Sequence, residues 1–189
     1  FERVLAGVAP QLRSHFFAKA QGAELGALAW HFTGRADERR EIVQWLSSTN
    51  QGLLVVTGRA GSGKSAVLGM LLASSDPSFR TVLSKLGYPR IARELCPAEN
   101  AFTAAVHLSG LTAKGAVAAI AAAIGSAETD NADILAGTLR DRGENAETIT
   151  LLADALDESR DPTTIAAMIR RLAGIPRTRV IVGTPVASS

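Results

Sequence analysis

One run of the sequence has the residue types and spacing to hold an anion. Gly58-Arg59-Ala60-Gly61-Ser62-Gly63-Lys64-Ser65 fits G-x-x-x-x-G-K-[ST] at every fixed position. Glycines at 58, 61 and 63 permit backbone turns closed to residues that carry a Cβ, so successive N–H groups from Gly58 to Ala66 can converge on phosphate oxygens. Lys64 adds a cation for the β and γ phosphates, and the positive end of a helix starting near it acts at the same point. Ser65 offers a hydroxyl to Mg²⁺, a hard cation otherwise held by water, carboxylate and phosphate. The bland alternative is a glycine-rich structural turn.

A second feature lies far downstream. Ile149-Thr150-Leu151-Leu152-Ala153-Asp154 is an apolar strand-like run that ends in a carboxylate, where a phosphate-loop enzyme keeps its other magnesium-directed group. Ala155-Leu156-Asp157-Glu158 follows at once. Asp154 is the candidate metal ligand, and Asp157 or Glu158 is placed to orient or deprotonate an attacking water. The competing reading of Asp157 and Glu158 is a solvated acidic turn ahead of a helix. A nucleotide's phosphate tail, as in ATP or ADP, is therefore the expected ligand together with Mg²⁺.

These groups need a scaffold that brings distant segments to one edge. Leu53 to Thr57 is short, continuous and rich in branched side chains, as in a central parallel strand covered on both faces. A helix over Ser65 to Ser74 follows, stopped by Asp76-Pro77. Before the loop, Ile42, Val43, Trp45 and Leu46 share one face of a surface helix over Ala36 to Ser47 whose first turns carry Asp37, Glu38, Arg39, Arg40 and Glu41. Residues 75–100 read as irregular connection with one short helix around Thr81 to Leu86. Phe102 to Leu108 is a second strand, and Thr112 caps an alanine-rich helix to Ile124 that Gly125 stops. Ala132 to Arg140 is helical and Thr148 to Ala153 a third strand. Asp161, as cap, and Pro162 open a helix through Leu172 that Gly174 ends, and Arg179 to Val182 is the fourth strand. Strands alternating with helices predict an α/β fold, a three-layer αβα core with a parallel sheet and its ligand at the strands' carboxyl ends.

Composition narrows the rest. At 189 residues, with 47% hydrophobic and 20% charged side chains, one globular core is the default. Residues 1–30 combine apolar patches at Val4, Leu5, Val8, Leu12, Phe16 and Phe17 with scattered glycines, and read as a helical arm or linker before a core over 31–189. The chain begins at Phe1 and stops just after a strand-like run, so we read it as an excerpt of something longer. A net charge of +2, with both signs scattered, does not supply the many phosphate contacts of non-specific DNA binding. No apolar stretch is long enough to span a bilayer, and no membrane partner is expected. The lone cysteine, Cys96, forms no internal disulfide and is expected as a small buried group in a reducing, cytoplasmic setting. His15, His31 and His107 have no second ligand at metal spacing, so no zinc site is expected.

Taken together, the motifs resemble the signal-transduction ATPases with numerous domains (STAND), in particular the NACHT-type branch, within the broader AAA+-like group of P-loop NTPases. Asp154-Ala155-Leu156-Asp157-Glu158 matches the magnesium aspartate, small residue and two further acids of NACHT-like proteins. Phe32-Thr33-Gly34-Arg35, with the helix carrying Glu41 and Trp45, looks like the F-x-G-R element such proteins place before the loop-bearing strand. Arg179-Val180-Ile181-Val182-Gly183-Thr184-Pro185 sits where the sensor 1 strand belongs. The resemblance implies an ATP-dependent switch, its nucleotide held between this core and later lid and winged-helix domains and its state coupled to self-association and to effector and sensor domains. It would lay Trp30 to Arg35 along the adenine and ribose, making Arg35 a nucleotide-binding candidate; for Trp30 and Phe32 core packing is the competing reading. Two departures stand out. Thr184 is followed by Pro185 rather than arginine, which weakens γ-phosphate sensing there, and Ala155 replaces the catalytic glutamate of many related ATPases, which fits slow turnover.

The alternative from another class is a P-loop small-molecule kinase, whose lid arginines would have to be Arg140 and Arg142 or Arg170 and Arg171; these fall in helix-like segments and read better as surface residues. Leu108-Ser109-Gly110-Leu111 hints at a transporter ATPase but lies too far upstream of the acidic strand and lacks the signature's further glycine and glutamine. A nucleic-acid motor lacks the interleaved aromatic and basic residues that such work requires.

Overall fold

The computed structural model describes residues 35–59, 62–85, 90–142 and 146–185. These fall into two compact units, 35–48 with 65–101 and 49–64 with 102–185. The arm at 1–30, the Trp30–Gly34 element and loop residues Ala60 and Gly61 lie outside the described residues.

The first unit is helical. Helix α1 (Ala36–Ser48) turns Ile42 and Leu46 inward, as their spacing demands. Arg39, which the sequence places among solvent-facing charges, is buried with them at 6% exposure. Its Nη2 donates to the carbonyl oxygen of Leu95 at 2.9 Å, and burial pushes its guanidinium below the ordinary arginine pKa. Helix α2 (Lys64–Ser75) is buried at every position from Val67 to Ser75, as expected of a helix apolar on all sides. Asp76-Pro77 ends it, but also begins helix α3 (Pro77–Lys85). The Asp76 carboxylate accepts from the amides of Ser78 at 2.7 Å and Phe79 at 3.3 Å, with proline in the first turn. Cys96 is half-buried rather than buried, and its thiol donates to the carbonyl oxygen of Ser74 at 3.4 Å.

The second unit carries the sheet. Strands β1 (Gly52–Thr57), β2 (Ala104–His107), β3 (Ile149–Asp154) and β4 (Thr178–Thr184) are all parallel, in the order β1-β4-β3-β2. Helices α4 (Ala113–Ala123), α5 (Ala132–Arg140) and α6 (Pro162–Ala173) follow β2 and β3, giving the expected α/β class with a parallel sheet. Side chains alternate across the strands. Ile149, Leu151 and Ala153 of β3 and Val180 and Val182 of β4 join a core with Ile120, Leu135, Ile165 and Ile169 of the helices. Thr150, Leu152 and Asp154 therefore point to the opposite face, and both sides of β3 are buried.

Register is pinned at the amino end of the sheet. Arg179 of β4 donates from Nε to the Thr150 hydroxyl at 2.7 Å and from Nη1 to the Thr49 carbonyl oxygen at 2.6 Å, tying the lead into β1 to the start of β3 across β4. Thr112 caps α4 as expected, accepting from the Gly115 amide, and Gly125 closes the helix at φ +69°. One expectation fails at β1. It is the outer strand of the described sheet, and Val55 is 46% exposed, so it is not covered on both faces. A short branched run marks a strand but not its place in the order. Among the described residues no helix is long and apolar enough to cross a membrane.

Candidate active site

Parallel strands deliver their carboxyl ends to one edge, and the pairing shows what stands there. Thr57 is in register with Thr184, and Val55 and Ala153 both pair with Val182. Asp154 is thus one step beyond a row that also holds Val55, three residues before the loop's first glycine. With β4 interposed, β3 and β1 are two strand spacings apart, about 10 Å. Loop and carboxylate share one edge of the sheet.

The described part of the loop is folded on itself. The Lys64 ammonium donates to the carbonyl oxygens of Gly58 at 2.7 Å and Arg59 at 3.1 Å, and the Ser62 amide donates to the Arg59 oxygen at 3.1 Å. Gly63 has φ +85°, a conformation that favours glycine. Gly58 does not use the conformational freedom that its spacing suggests. Its φ is not positive, but a Cβ there would stand 2.6 Å from the Ser62 hydroxyl oxygen. Arg59 is exposed, while Ser62, Ser65 and Ala66 are half-buried, the last two in the first turn of α2.

Asp154 is 2% exposed, and its Oδ2 is buried with no hydrogen-bond partner. A lone buried carboxylate oxygen is costly unless a cation or donor meets it, so the residue fits a magnesium ligand. The next residue, Ala155, is held at φ +59°, which breaks the strand abruptly and starts a 3₁₀ turn over Leu156–Glu158. Asp157 and Glu158 are both exposed. Asp157 lines an open groove of about 480 Å³ together with Thr163, Arg170 and Thr184.

The remaining sequence candidates are placed as follows. Arg35 has φ +60° and pairs with Glu38 at 3.2 Å in the helical unit. Arg171 bonds to Asp133, and Arg170 is exposed along the groove. Asp161 does not cap its own helix. Its Oδ2 accepts from the amide of Ala113, the first residue of α4, at 2.9 Å. Nothing in the sequence signals this, since an Asp-Pro pair ahead of an apolar period reads locally as a cap. His107 stands in register with Asp154 at the end of β2, a neighbour that only the strand pairing reveals.

A family model described as "AAA ATPase domain" matches residues 31–182. Among solved structures the chain is similar to one titled "Structure of Drosophila ORC bound to DNA", at 18% identity and a TM-score of 0.53, over 89% of this chain and 43% of that one. It is also similar to "Structure of Drosophila ORC bound to GC-rich DNA and Cdc6", at 17% identity and a TM-score of 0.45, over 80% of this chain and 48% of that one. The chain thus spans less than half the length of either. No curated protein matches the sequence.

Proposed function

Since the chain belongs to the AAA ATPase domain family, we propose that it is an ATP-binding, slowly hydrolysing switch of the STAND, NACHT-like kind, whose nucleotide state governs self-association and the action of effector and sensor domains. One observation carries the reading: a buried, unpartnered carboxylate, Asp154, at the sheet edge that also bears the phosphate loop. The Drosophila complex matched at a TM-score of 0.53 supports the fold alone, and the DNA in its title is its own.

In this reading the amides of residues 58–66 bind the phosphates, and Lys64 leaves its carbonyl partners to neutralise the outer ones. Asp154 would hold Mg²⁺, and Ser65 keeps its role as a second ligand from the motif pattern. When bound, the ion neutralises charge developing on the phosphate oxygens. Asp157 or Glu158 orients the attacking water or accepts its proton. With Ala155 directly after Asp154, no acid stands where many related ATPases keep their base, which supports slow turnover and a long-lived bound state. Arg35, paired with Glu38, remains a nucleotide-side candidate on the resemblance alone.

The test is phosphate release from ATP in the presence and absence of a panel of metabolite acceptors. Release that needs no acceptor, and a Glu158→Gln or Asp157→Asn variant that retains ATP, support the switch. Release or transfer only with an acceptor supports the small-molecule kinase, the reading that family membership disfavours.

A further inference from the structure

Leu156 of the acidic turn packs into the core with Ile165 and Ile169 of α6, and the turn's main chain is held from a second side. It is laced to the segment that leaves β2. The Leu108 amide donates to the Asp154 carbonyl oxygen, the Gly110 amide to the Glu158 oxygen and the Arg160 amide to the Leu111 oxygen, each at 2.9 Å. The Ala113 amide completes the series with its bond to Asp161 Oδ2, also 2.9 Å. Gly110, at φ +72°, lets the chain turn between these rungs. Asp154, Glu158, Arg160 and Asp161 are therefore each tied to residues 108–113, and Ala155 to Asp157 lie between the first two of those ties. The final rung is the one made by a side chain, and it is charged, accepting at the positive end of an 11-residue helix.

We propose that Asp161 is a positioning residue: by accepting the Ala113 amide it fixes the 155–161 turn on the amino end of α4 and so sets where Asp157 and Glu158 stand. This rests on the ATPase reading above and adds to it a residue that touches neither nucleotide nor metal. Ala155 explains why such a tie is needed. A non-glycine residue held at φ +59° favours relaxation of the turn, and the bonds to 108–113 oppose it.

The decisive experiment removes the bond from either side. Asp161→Ala deletes the acceptor. Ala113→Pro deletes the donor while suiting the site, because proline is favoured at a first helical position and Thr112 before it is already extended at φ −76°, ψ 167°. Steady-state ATP hydrolysis and melting temperature are measured for both, for Asp161→Asn, which keeps an acceptor oxygen, and for the double variant. The role predicts a fall in kcat of about tenfold, the equivalent of one capping bond, in both single variants with KM for Mg-ATP unchanged. The double variant falls no further, and Asp161→Asn recovers most of the loss. If Asp161→Ala fails to fold, Ala113→Pro alone decides. Wild-type kcat in the folded variants, with or without a lower melting temperature, overturns the positioning role and leaves the ATPase reading standing. A wild-type protein that releases no phosphate overturns the ATPase reading, and the positioning role with it.

Discussion

The ammonium of Lys64 rests on its own loop, 2.7 Å from the carbonyl oxygen of Gly58. A nucleotide must therefore compete with main-chain carbonyls for that cation, and part of the phosphate interaction replaces bonds already made. Removing the side chain deletes a charge-assisted contact of about 1.5–3 kcal/mol, so Lys64→Ala should weaken Mg-ATP binding by roughly 10- to 150-fold. The melting temperature of the nucleotide-free protein should change little, because the bond to Arg59 is exposed and that to Gly58 only part-buried, so that water can replace the ammonium. Titration calorimetry and thermal melting of the same samples check both halves.

Gly58 and Ser62 give a prediction that depends on sterics. A methyl group at 58 would meet the Ser62 hydroxyl oxygen at 2.6 Å, so Gly58→Ala should distort the loop and lower nucleotide affinity. Ser62→Ala removes the colliding atom. The double variant should bind better than Gly58→Ala alone; equal affinities would mean that the crowding is not what Gly58 prevents.

Asp154 should show a trade between stability and function. In metal-free buffer its buried, unpartnered oxygen is a liability, and Asp154→Asn should stabilise the protein by about 1–3 kcal/mol, or several degrees in melting temperature. Adding Mg-ATP should raise the melting temperature of the wild type by more than that of the variant, which keeps only the metal-independent part of the binding. A variant less stable than wild type without metal would show that the carboxylate is already satisfied.

Ala155 stores a small strain. Ala155→Gly should raise the melting temperature by about 2–4 °C, corresponding to about 1 kcal/mol of left-handed backbone energy relieved. Differential scanning calorimetry measures it, and a lower melting temperature would mean that the Ala155 methyl packs well enough to outweigh the strain.

What the sequence made legible was local chemistry. The apolar run ending at Asp154, the Thr112 cap and the helix over Ala132–Arg140 each depend on neighbours within a few positions, and each is found where pattern and capping rules put it. The misreadings share one cause, which is long-range geometry. The rank of β1 in the sheet is set by where β4 inserts, not by the composition of Leu53–Thr57. Arg39 is buried because Leu95, far along the chain, supplies an acceptor. Asp161 serves Ala113 rather than its own helix because β2 and β3 are neighbours, and the same pairing sets His107 beside Asp154. Asp76 ends α2 as expected, but one residue can end a helix and cap the next, so α3 starts at Pro77 rather than near Thr81.

The central claim is that the loop at 58–65 and the carboxylate at 154 together hold a magnesium–nucleotide complex. Calorimetric titration of ATP into the protein, with Mg²⁺ and then with the metal chelated, tests it most directly. The account predicts one saturable site, weakened on chelation, with the effect of chelation lost in Asp154→Asn. No binding up to millimolar ATP, or binding indifferent to both metal and Asp154, would contradict it.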